Sequence, residues 1–421
     1  MADSREISLQ ILQNILFCKN AGGLTSFLSE KDEDSAFITM LILTSLRHLT
    51  YIRKILKTLI TKKLSKQNVI GQCALILGTT ELLYMQTPDY AIINSYVNLV
   101  KSKTDRYVAG FVNAVLRKIN QSKTDFQNND TGEFFSQEFR TLLRHSYSAK
   151  TISAIEKTSV LEPSLDITCI SRSSADKLNG QTLPLGSIRL SSKGKISLLP
   201  DFKKGTWWIQ DFSSSLAIKM LDNLNQKNIL ELCAAPGGKT AQLLTAGAKV
   251  TCLDISEERL KTLKENLNRL NLHAEKIICN DALTFLEKNK QLYDIVVIDA
   301  PCSATGTLRR HPEIVHTKTI NDIKKQALLQ KEFLIKADKA IPVGGILLYC
   351  TCSLCHEEGE NQISGFVQQH PNYQIINLSN KIPPEISNIT TDEGFIRVLP
   401  HHLKDFGGAD GFFIACLKKV S

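Results

Sequence analysis

Several features are scarce or missing in this chain, and each absence excludes a class of protein. A bilayer-spanning helix needs roughly 20 apolar residues, and the best uninterrupted runs, Ile295 to Ala300 and Gly345 to Leu348, are strand-sized. A membrane protein is therefore not expected. The opening MADSREISLQILQNILF carries early acidic residues and a short amphipathic run, not the basic-then-apolar form of a secretory leader. This predicts a soluble, cytoplasmic protein with no membrane partner. The string Cys352-Ser353-Leu354-Cys355-His356 matches the C-x-x-C-H form of haem attachment, and Cys350 nearby would supply a third thiol to zinc. Haem attachment of that kind belongs with export, and no second C-x-x-C or H-x-x-x-H completes a zinc site, so no metal is expected. There is no internal repeat or low-complexity tract.

What is present suits a multidomain enzyme. With 421 residues, 43% hydrophobic and 22% charged, the chain can bury ordinary cores in two or three domains. Eleven cysteines scattered over this length without a leader read as buried packing residues or reactive thiols, not as a disulfide framework. The net charge is +9, and residues 1–120 carry 15 Lys/Arg against 9 Asp/Glu. Arg53, Lys54, Lys57, Lys62, Lys63 and Lys66 form a run without an acid. Such a run is either a polyanion-binding face or a solvated helix surface.

Periodicity divides the chain. Ile7, Ile11 and Ile15 recur at four, as do Leu75, Thr79 and Leu83, and no proline precedes Pro88, which predicts an all-α domain over 1–125. The polar stretch Gln121 to Gly132 reads as a loop and a boundary. Residues 133–204 mix a helix around Phe134 to His145 with strands at Leu165 to Ile170 and Ile188 to Leu190, a small connecting α/β domain. From 205 to 421, Ile229 to Leu232, Val250 to Asp254, Lys276 to Cys279, Ile295 to Asp299 and Ile346 to Cys350 alternate with helical segments. This predicts a mostly parallel, doubly wound sheet. In the helix after the second of these strands, Ser256 is a candidate N-cap and Leu260, Leu263, Leu267 and Leu270 one face. Phe395 to Leu399 and Phe412 to Leu417 predict a closing antiparallel hairpin.

The first of the parallel strands runs into Cys233-Ala234-Ala235-Pro236-Gly237-Gly238-Lys239-Thr240, whose small residues let the backbone approach a ligand before a helix begins. The turn lacks the G-x-G-x-x-G spacing, and no glycine lies five residues before Gly238, which disfavours dinucleotides and triphosphates. Asp254 closes the next strand, 17 positions beyond Gly237, where a carboxylate can accept from ribose hydroxyls. Asp281, after the third strand, could meet an adenine amino group. Each acid alone reads first as a loop or cap residue; together at successive strand ends they point to an adenosine ligand.

The next two strands end in Asp299-Ala300-Pro301-Cys302-Ser303-Ala304-Thr305-Gly306 and Tyr349-Cys350-Thr351-Cys352-Ser353. Ligands of open α/β sheets bind outside the carboxyl ends of strands, so Asp299, Cys302 and Cys352 can converge on one substrate. Pyrimidine carbon 5 is a poor nucleophile until a thiolate adds to carbon 6, which makes paired thiols useful for methylating it. An isolated strand-end cysteine reads first as a packing residue, the reading given to Cys233, Cys252, Cys279 and Cys350. Spacing does not say which thiol attacks, although the short turn at Cys352 can display its sulfur. Lys239, Arg309, Arg310 and His311 are either solvated loop charges or phosphate contacts. Trp207 and Trp208 either stack nucleobases or pack in a core.

The motifs ELCAAPGGKT, DISEERL, DAPCSATGTLRRHPEI, YCTCS and DGFF make residues 205 to 417 resemble the bacterial ribosomal-RNA 5-methylcytosine methyltransferases. The resemblance implies a class I, Rossmann-like fold using S-adenosyl-L-methionine, with cofactor contacts through Cys233, Ala234, Ala235, Pro236, Gly237, Gly238, Lys239, Asp254, Asp281 and Asp299. It also implies Cys352 as the covalent nucleophile, Cys302 in the release step and Asp299 at the cytosine edge near N3. The N-terminal segment is similar to NusB-type RNA-binding domains through Leu46-Arg47-His48, Glu81-Leu82-Leu83-Tyr84, Pro88 to Asn94 and Gly110 to Arg117. Together they resemble the family acting on cytosine carbon 5 of 16S ribosomal RNA, with small-subunit rRNA as partner and the target base extruded or unpaired.

The chain departs from that pattern at two places. Arg144-His145-Ser146 and Thr168-Cys169-Ile170 replace His-Pro-x-Trp and Arg-Val-Asn signatures, and His356-Glu357-Glu358-Gly359 replaces Pro-Glu-Glu-Asn. A non-catalytic RNA-binding module and a methyltransferase for another RNA or a protein acceptor are the competing readings. Neither a binding module nor amine or protein methylation would need two strand-end thiols.

Overall fold

A computed structural model describes residues 4–18, 34–60, 68–170, 178–191 and 196–421; Lys62, Lys63 and Lys66 of the basic run lie outside them. The chain divides into two compact units, Met1–Thr141 with Leu308–Lys318 and Leu142–Thr307 with Thr319–Ser421.

The first unit is helical, with helices Ser4–Gln13, Ser35–Leu59, Val69–Tyr84, Asp89–Lys103 and Arg106–Gln121. Ile11, Ile15, Leu75, Thr79 and Leu83 all point into its core, while Ile7 is only partly buried. The helix Val69–Tyr84 runs through the centre, buried continuously from Cys73 to Leu83. Its one acid, Glu81, accepts from Arg5 (Nε 3.0 Å, Nη2 2.8 Å) and from Tyr96 Oη at 2.6 Å, so a buried charge is fully engaged. Ser35–Leu59 is, by length and composition, apolar enough to cross a membrane, although polar residues interrupt its apolar positions. Its Ile38, Leu41, Ile42, Leu46, Leu49, Ile52 and Ile55 are instead buried in the helical core.

Two features of this unit depart from expectation. The polar stretch read as a loop contains the helix Lys123–Asn128. Tyr51 Oη donates to Phe126 O (2.7 Å) and Gln127 Nε2 to Leu83 O (2.6 Å), so neighbouring helices supply the anchoring that the stretch cannot provide itself. Residues Leu308–Lys318, which follow the Cys302 motif in sequence, belong to this unit. Arg47 Nη2 donates to Arg309 O (2.9 Å), and His316, kept neutral because burial pushes its pKa down to about 4, meets Leu46 O through Nε2 at 2.9 Å.

The second unit holds two sheets. In the small antiparallel one, β1 (Leu165–Cys169), β2 (Gly180–Thr182), β3 (Ile188–Leu190) and β4 (Trp207–Ile209) run in the order β2-β3-β1-β4. The large sheet is built from β5 (Asn228–Leu232), β6 (Lys249–Asp254), β7 (Lys276–Cys279), β8 (Ile295–Asp299), β9 (Ile346–Thr351), β10 (Tyr373–Ile375) and β12 (Phe412–Lys419), in the order β10-β12-β9-β8-β5-β6-β7. Strands β9-β8-β5-β6-β7 are parallel; β12 lies antiparallel on β9 and carries β11 (Ile396–Val398), which makes the expected closing hairpin. The edge strand β10 is too short and half polar to be read from the sequence.

Side chains alternate across the large sheet: Ile229, Val250, Ile295, Val297 and Leu348 enter one core and Leu230, Leu232, Val296, Ile298 and Leu347 the other. Because both faces are buried, these strands read as continuous apolar runs. Ser256 caps the helix Glu257–Arg269 by accepting from Arg259 N (3.2 Å), and Leu260, Leu263, Leu267 and Leu270 are buried as the spacing predicts. The strand order reverses between β5 and β8, which places the topological switch point beside the Cys233 turn and the Cys302 loop.

Candidate active site

Three adjacent strands deliver the site. At the end of β5 the chain turns through Cys233 (φ +59°) and Gly237 (φ +100°) into the helix Gly238–Thr245. Left-handed backbone suits glycine but strains cysteine. Ala234 N donates to Leu253 O (3.0 Å) and Gly237 N to Ala234 O (2.9 Å), which fixes Cys233, Ala234, Ala235, Pro236, Gly237 and Gly238 as a close backbone cradle above the strand ends.

The neighbouring acids differ in surroundings. Asp254, buried at the end of β6, accepts from Ser256 N (3.0 Å) and Ala235 N (3.2 Å) and pairs with Arg259 Nη1 at 3.4 Å. Arg259 also reaches Ala235 O, so a half-exposed arginine spans the cradle; its place in the DISEERL run was not singled out from sequence. Asp281 caps the helix Ala282–Lys288, its Oδ1 accepting from Thr284 N (2.8 Å) and Thr284 Oγ1 (2.9 Å). Asp299 pairs with Lys239 Nζ at 2.8 Å and accepts from Cys350 Sγ at 3.6 Å.

Lys239 is neither a solvated loop charge nor open to phosphate. It is 6% exposed, donates to Ser214 Oγ (3.0 Å) and lies 5.1 Å from the Phe412 ring centroid. Burial works most strongly against its charge, but Asp299 and the other groups around it together outweigh burial and raise its pKa. Arg309 is likewise buried (1%), whereas His311 is exposed beside Glu313. Trp207 and Trp208 are core residues, donating to Pro200 O and Gln210 Oε1.

The structure brings Cys302 and Cys352 together: their sulfurs are 3.4 Å apart, and both residues are partly exposed. The loops that carry them are joined by Ala300 N to Cys350 O (2.9 Å) and Gly306 N to Cys352 O (2.9 Å), and Gly411 N donates to Gly306 O at 2.7 Å. A Cβ on Gly306 would fall 2.0 Å from Gly411 O, so only glycine allows these backbones to meet. Ala304, in the same loop, holds φ +59°. The Cys302 thiol is pushed well above its ordinary pKa by its hydrogen bond to Cys352, by burial and by the charges of Cys352 and Glu358.

Glu358 was not singled out from sequence. Fully buried, its Oε1 accepts from Ser303 N (2.8 Å) and Gln330 Nε2 (3.1 Å), and its Oε2 from Ser353 Oγ (2.5 Å) and Ser303 Oγ. The only sequence signal was a pair of acids five and six residues after a candidate nucleophile, a spacing with no periodic meaning. The departures around it meet one another: His356 N, an N–H that the family's proline lacks, donates to Ser146 Oγ (3.0 Å), and the His356 and Tyr147 rings make an edge contact with centroids 5.1 Å apart.

None of the eleven cysteines is in a disulfide. Cys252 and Cys350 are buried and Cys233 partly so, but Cys279 is exposed at the end of edge strand β7, a correction to its reading as a packing residue. Among the described residues no cluster of three or more His, Cys, Asp or Glu side chains is placed to hold a metal ion.

A switch-point cradle followed by strand-end carboxylates defines a class I methyltransferase of the S-adenosylmethionine-dependent type. Residues 218–418 match the family described as 16S rRNA methyltransferase RsmB/F, and residues 2–121 match the NusB family. Residues 218–418 thus form an RsmB/F-type rRNA methyltransferase domain and residues 2–121 a NusB-family helical domain. It is 29% identical to "Ribosomal RNA small subunit methyltransferase B" of Yersinia pseudotuberculosis over 92% of this chain and 91% of that one. Its fold is similar to the crystal structure of PH0851 (TM-score 0.74, 20% identity, 100% of this chain and 99% of that one). It is also similar to NSun6 from Pyrococcus horikoshii, solved with SFG (TM-score 0.57, 21% identity, 69% of this chain and 99% of that one).

Proposed function

We propose that the protein methylates carbon 5 of a cytosine in 16S ribosomal RNA through a covalent bond between Cys352 and carbon 6. The observation that carries this reading is the 3.4 Å approach of two thiols at adjacent strand ends, Cys302 lying three residues beyond Asp299, which pairs with the buried Lys239. Amine or oxygen methylation gains nothing from that pair, whereas carbon 5 requires a nucleophile for carbon 6 and a base for the carbon 5 proton. The name of the Yersinia relative supports small-subunit RNA as the substrate.

The residues at the cradle fit an adenosine-bearing methyl donor. Cys233 to Gly238 present close backbone, Asp254 and Asp281 bring carboxylates to the ends of β6 and β7, and Lys239 holds Asp299 in place at the end of β8. S-adenosylmethionine bound there supplies an electrophilic methyl group.

The side chains then divide the work. Asp299, ion-paired with Lys239, accepts from the 4-amino group of cytosine beside N3 and orients the ring. Cys352 forms the bond to carbon 6, giving carbon 5 the enamine character it needs. Cys302 keeps its proton while its sulfur faces that of Cys352. Once the Cys352 sulfur is bonded to carbon, the neighbouring charge is gone, and the partly exposed Cys302 thiol gives its proton to water and, as thiolate, takes the carbon 5 proton. Elimination of Cys352 then frees the methylated base. The cytosine must leave the stack to reach this site. The exposed Tyr90, Tyr107, Lys101 and Arg106 of the helical unit supply stacking and phosphate contacts for the rest of the RNA.

The test is transfer of a tritiated methyl group from S-adenosylmethionine to unmodified small-subunit RNA, with bisulfite mapping of the product. RNA binding without methyl transfer would favour a binding module; label in any position other than cytosine carbon 5 would overturn the mechanism.

A further inference from the structure

The two reactive cysteines sit on separate loops, and a catalytic pair of this kind needs its separation held to a fraction of an ångström. Strand pairing ends at Asp299 with Cys350, so the ladder itself does not reach either sulfur. Beyond it, Gly306 N donates to Cys352 O (2.9 Å) and Thr305 Oγ1 meets Ser353 Oγ (3.1 Å) and Leu354 N (2.9 Å), and one carboxylate touches the residues next to both cysteines. Glu358 takes the backbone N–H and hydroxyl of Ser303, the residue after Cys302, and the hydroxyl of Ser353, the residue after Cys352. Its fourth donor, Gln330 Nε2, also donates to Pro301 O at 2.8 Å, closing the Cys302 loop from its other side. The acid is itself anchored: its backbone carbonyl accepts from Tyr349 Oη (2.9 Å) and Thr351 Oγ1 (3.4 Å) on β9.

We propose that Glu358 is the positioning residue of the thiol pair: its carboxylate clamps the Ser303 and Ser353 turns and so sets the distance between Cys302 and Cys352. This inference rests on the pair being the reactive centre, as argued above. Four donors on two oxygens match a carboxylate, which offers only acceptors. Aspartate, shorter by one methylene, cannot span both turns. Glutamine can, if its oxygen meets the Ser303 and Gln330 N–H groups and its amide donates to the two serine hydroxyls, which are able to accept. The clamp therefore predicts an unusual order of variants, in which the neutral isostere works better than the charged shorter acid.

The experiment uses the full-length protein and a bifunctional thiol reagent, dibromobimane, with the bridged peptides identified by mass spectrometry. In the unsubstituted protein the reagent should link Cys302 to Cys352. Glu358→Ala and Glu358→Asp should lower the yield of that bridge at least about fivefold and kcat about tenfold or more, while KM for S-adenosylmethionine stays within about twofold. Glu358→Gln should restore most of the bridging. Equal bridging in the unsubstituted, Ala and Asp proteins would overturn the proposal, as would Asp outperforming Gln. If Glu358→Ala does not fold, the order of the Asp and Gln variants decides the matter by itself. Bridging needs no RNA, so a protein that bridges as expected but methylates no RNA would overturn the function and leave the clamp standing.

Discussion

Cys302 Sγ and Cys352 Sγ face each other at 3.4 Å from loops 50 residues apart in sequence. At that distance the two thiols cannot behave independently, and their variants should fail in different ways. Cys352→Ala should lower methyl transfer by about 10³-fold or more and leave no covalent RNA adduct. Cys302→Ala should allow the bond to carbon 6 but stall release, so that an enzyme–RNA species survives denaturing electrophoresis. Normal turnover by Cys302→Ala would remove it from the mechanism.

The same proximity makes the site sensitive to oxidants. Peroxide converts two thiols to a disulfide with release of water, and the nearer partner is favoured. Cys355, the alternative suggested by the C-x-x-C string, is buried with its sulfur toward Thr305 Oγ1 at 3.8 Å. Mild peroxide should therefore abolish activity through a Cys302–Cys352 link, reversible by dithiothreitol. Peptide mapping that found Cys352 joined to Cys355 would contradict this.

The positions of Cys302, Cys352, Asp254 and Asp299 at strand ends were legible in the sequence because buried parallel strands are apolar runs with polar stops. Loops that assemble by tertiary contact were not. Glu358 carries no periodic signal, and its role appears only when the Ser303 and Ser353 turns meet around it. Lys239 looked like a loop charge because its partner lies 60 residues away on β8. Residues 123–128 looked like linker because their anchors, Tyr51 and Leu83, are on distant helices. Local pattern reports burial well and long-range polar pairing poorly.

Lys239 and Asp299 form a largely buried pair, and removing one member leaves the other charge without compensation. Lys239→Met should cost about 1–3 kcal/mol in urea denaturation, less than for a fully buried pair because Asp299 is one-third exposed, and inactivate the enzyme. Lys239→Met combined with Asp299→Asn should recover part of that stability without recovering methyl transfer. If the double variant were no more stable than the single one, the pair would not be coupled as the 2.8 Å contact implies.

Gly306 is constrained by backbone on two sides, since a Cβ there would meet Gly411 O at 2.0 Å and Cys352 O at 2.9 Å. Neither obstacle is a flexible side-chain end, so the Cys302 loop itself must move. Gly306→Ala should cost about 1–3 kcal/mol of stability and reduce kcat more than it alters KM for S-adenosylmethionine. Unchanged kcat would mean that the loop shift does not reach the thiols.

Glu231 lies fully buried in the centre of the sheet, with Thr240 Oγ1 donating to its Oε2 at 2.6 Å. Burial pushes its carboxyl up to about 8, against the opposing effects of the Thr240 hydrogen bond and the Lys239 charge. An unfolded glutamate titrates near about 4.3. The folded state therefore holds a proton that the unfolded state gives up, and the resulting stability is complete below about pH 4.3 and is lost as pH rises toward about 8. Glu231→Gln keeps the shape and removes the titration. Its melting temperature should fall less steeply than that of the unsubstituted protein between about pH 5 and pH 8, with a gain on the order of a few degrees at the alkaline end. Parallel melting profiles for the two proteins would show that Glu231 is ionised in the folded state, with Lys239 outweighing burial.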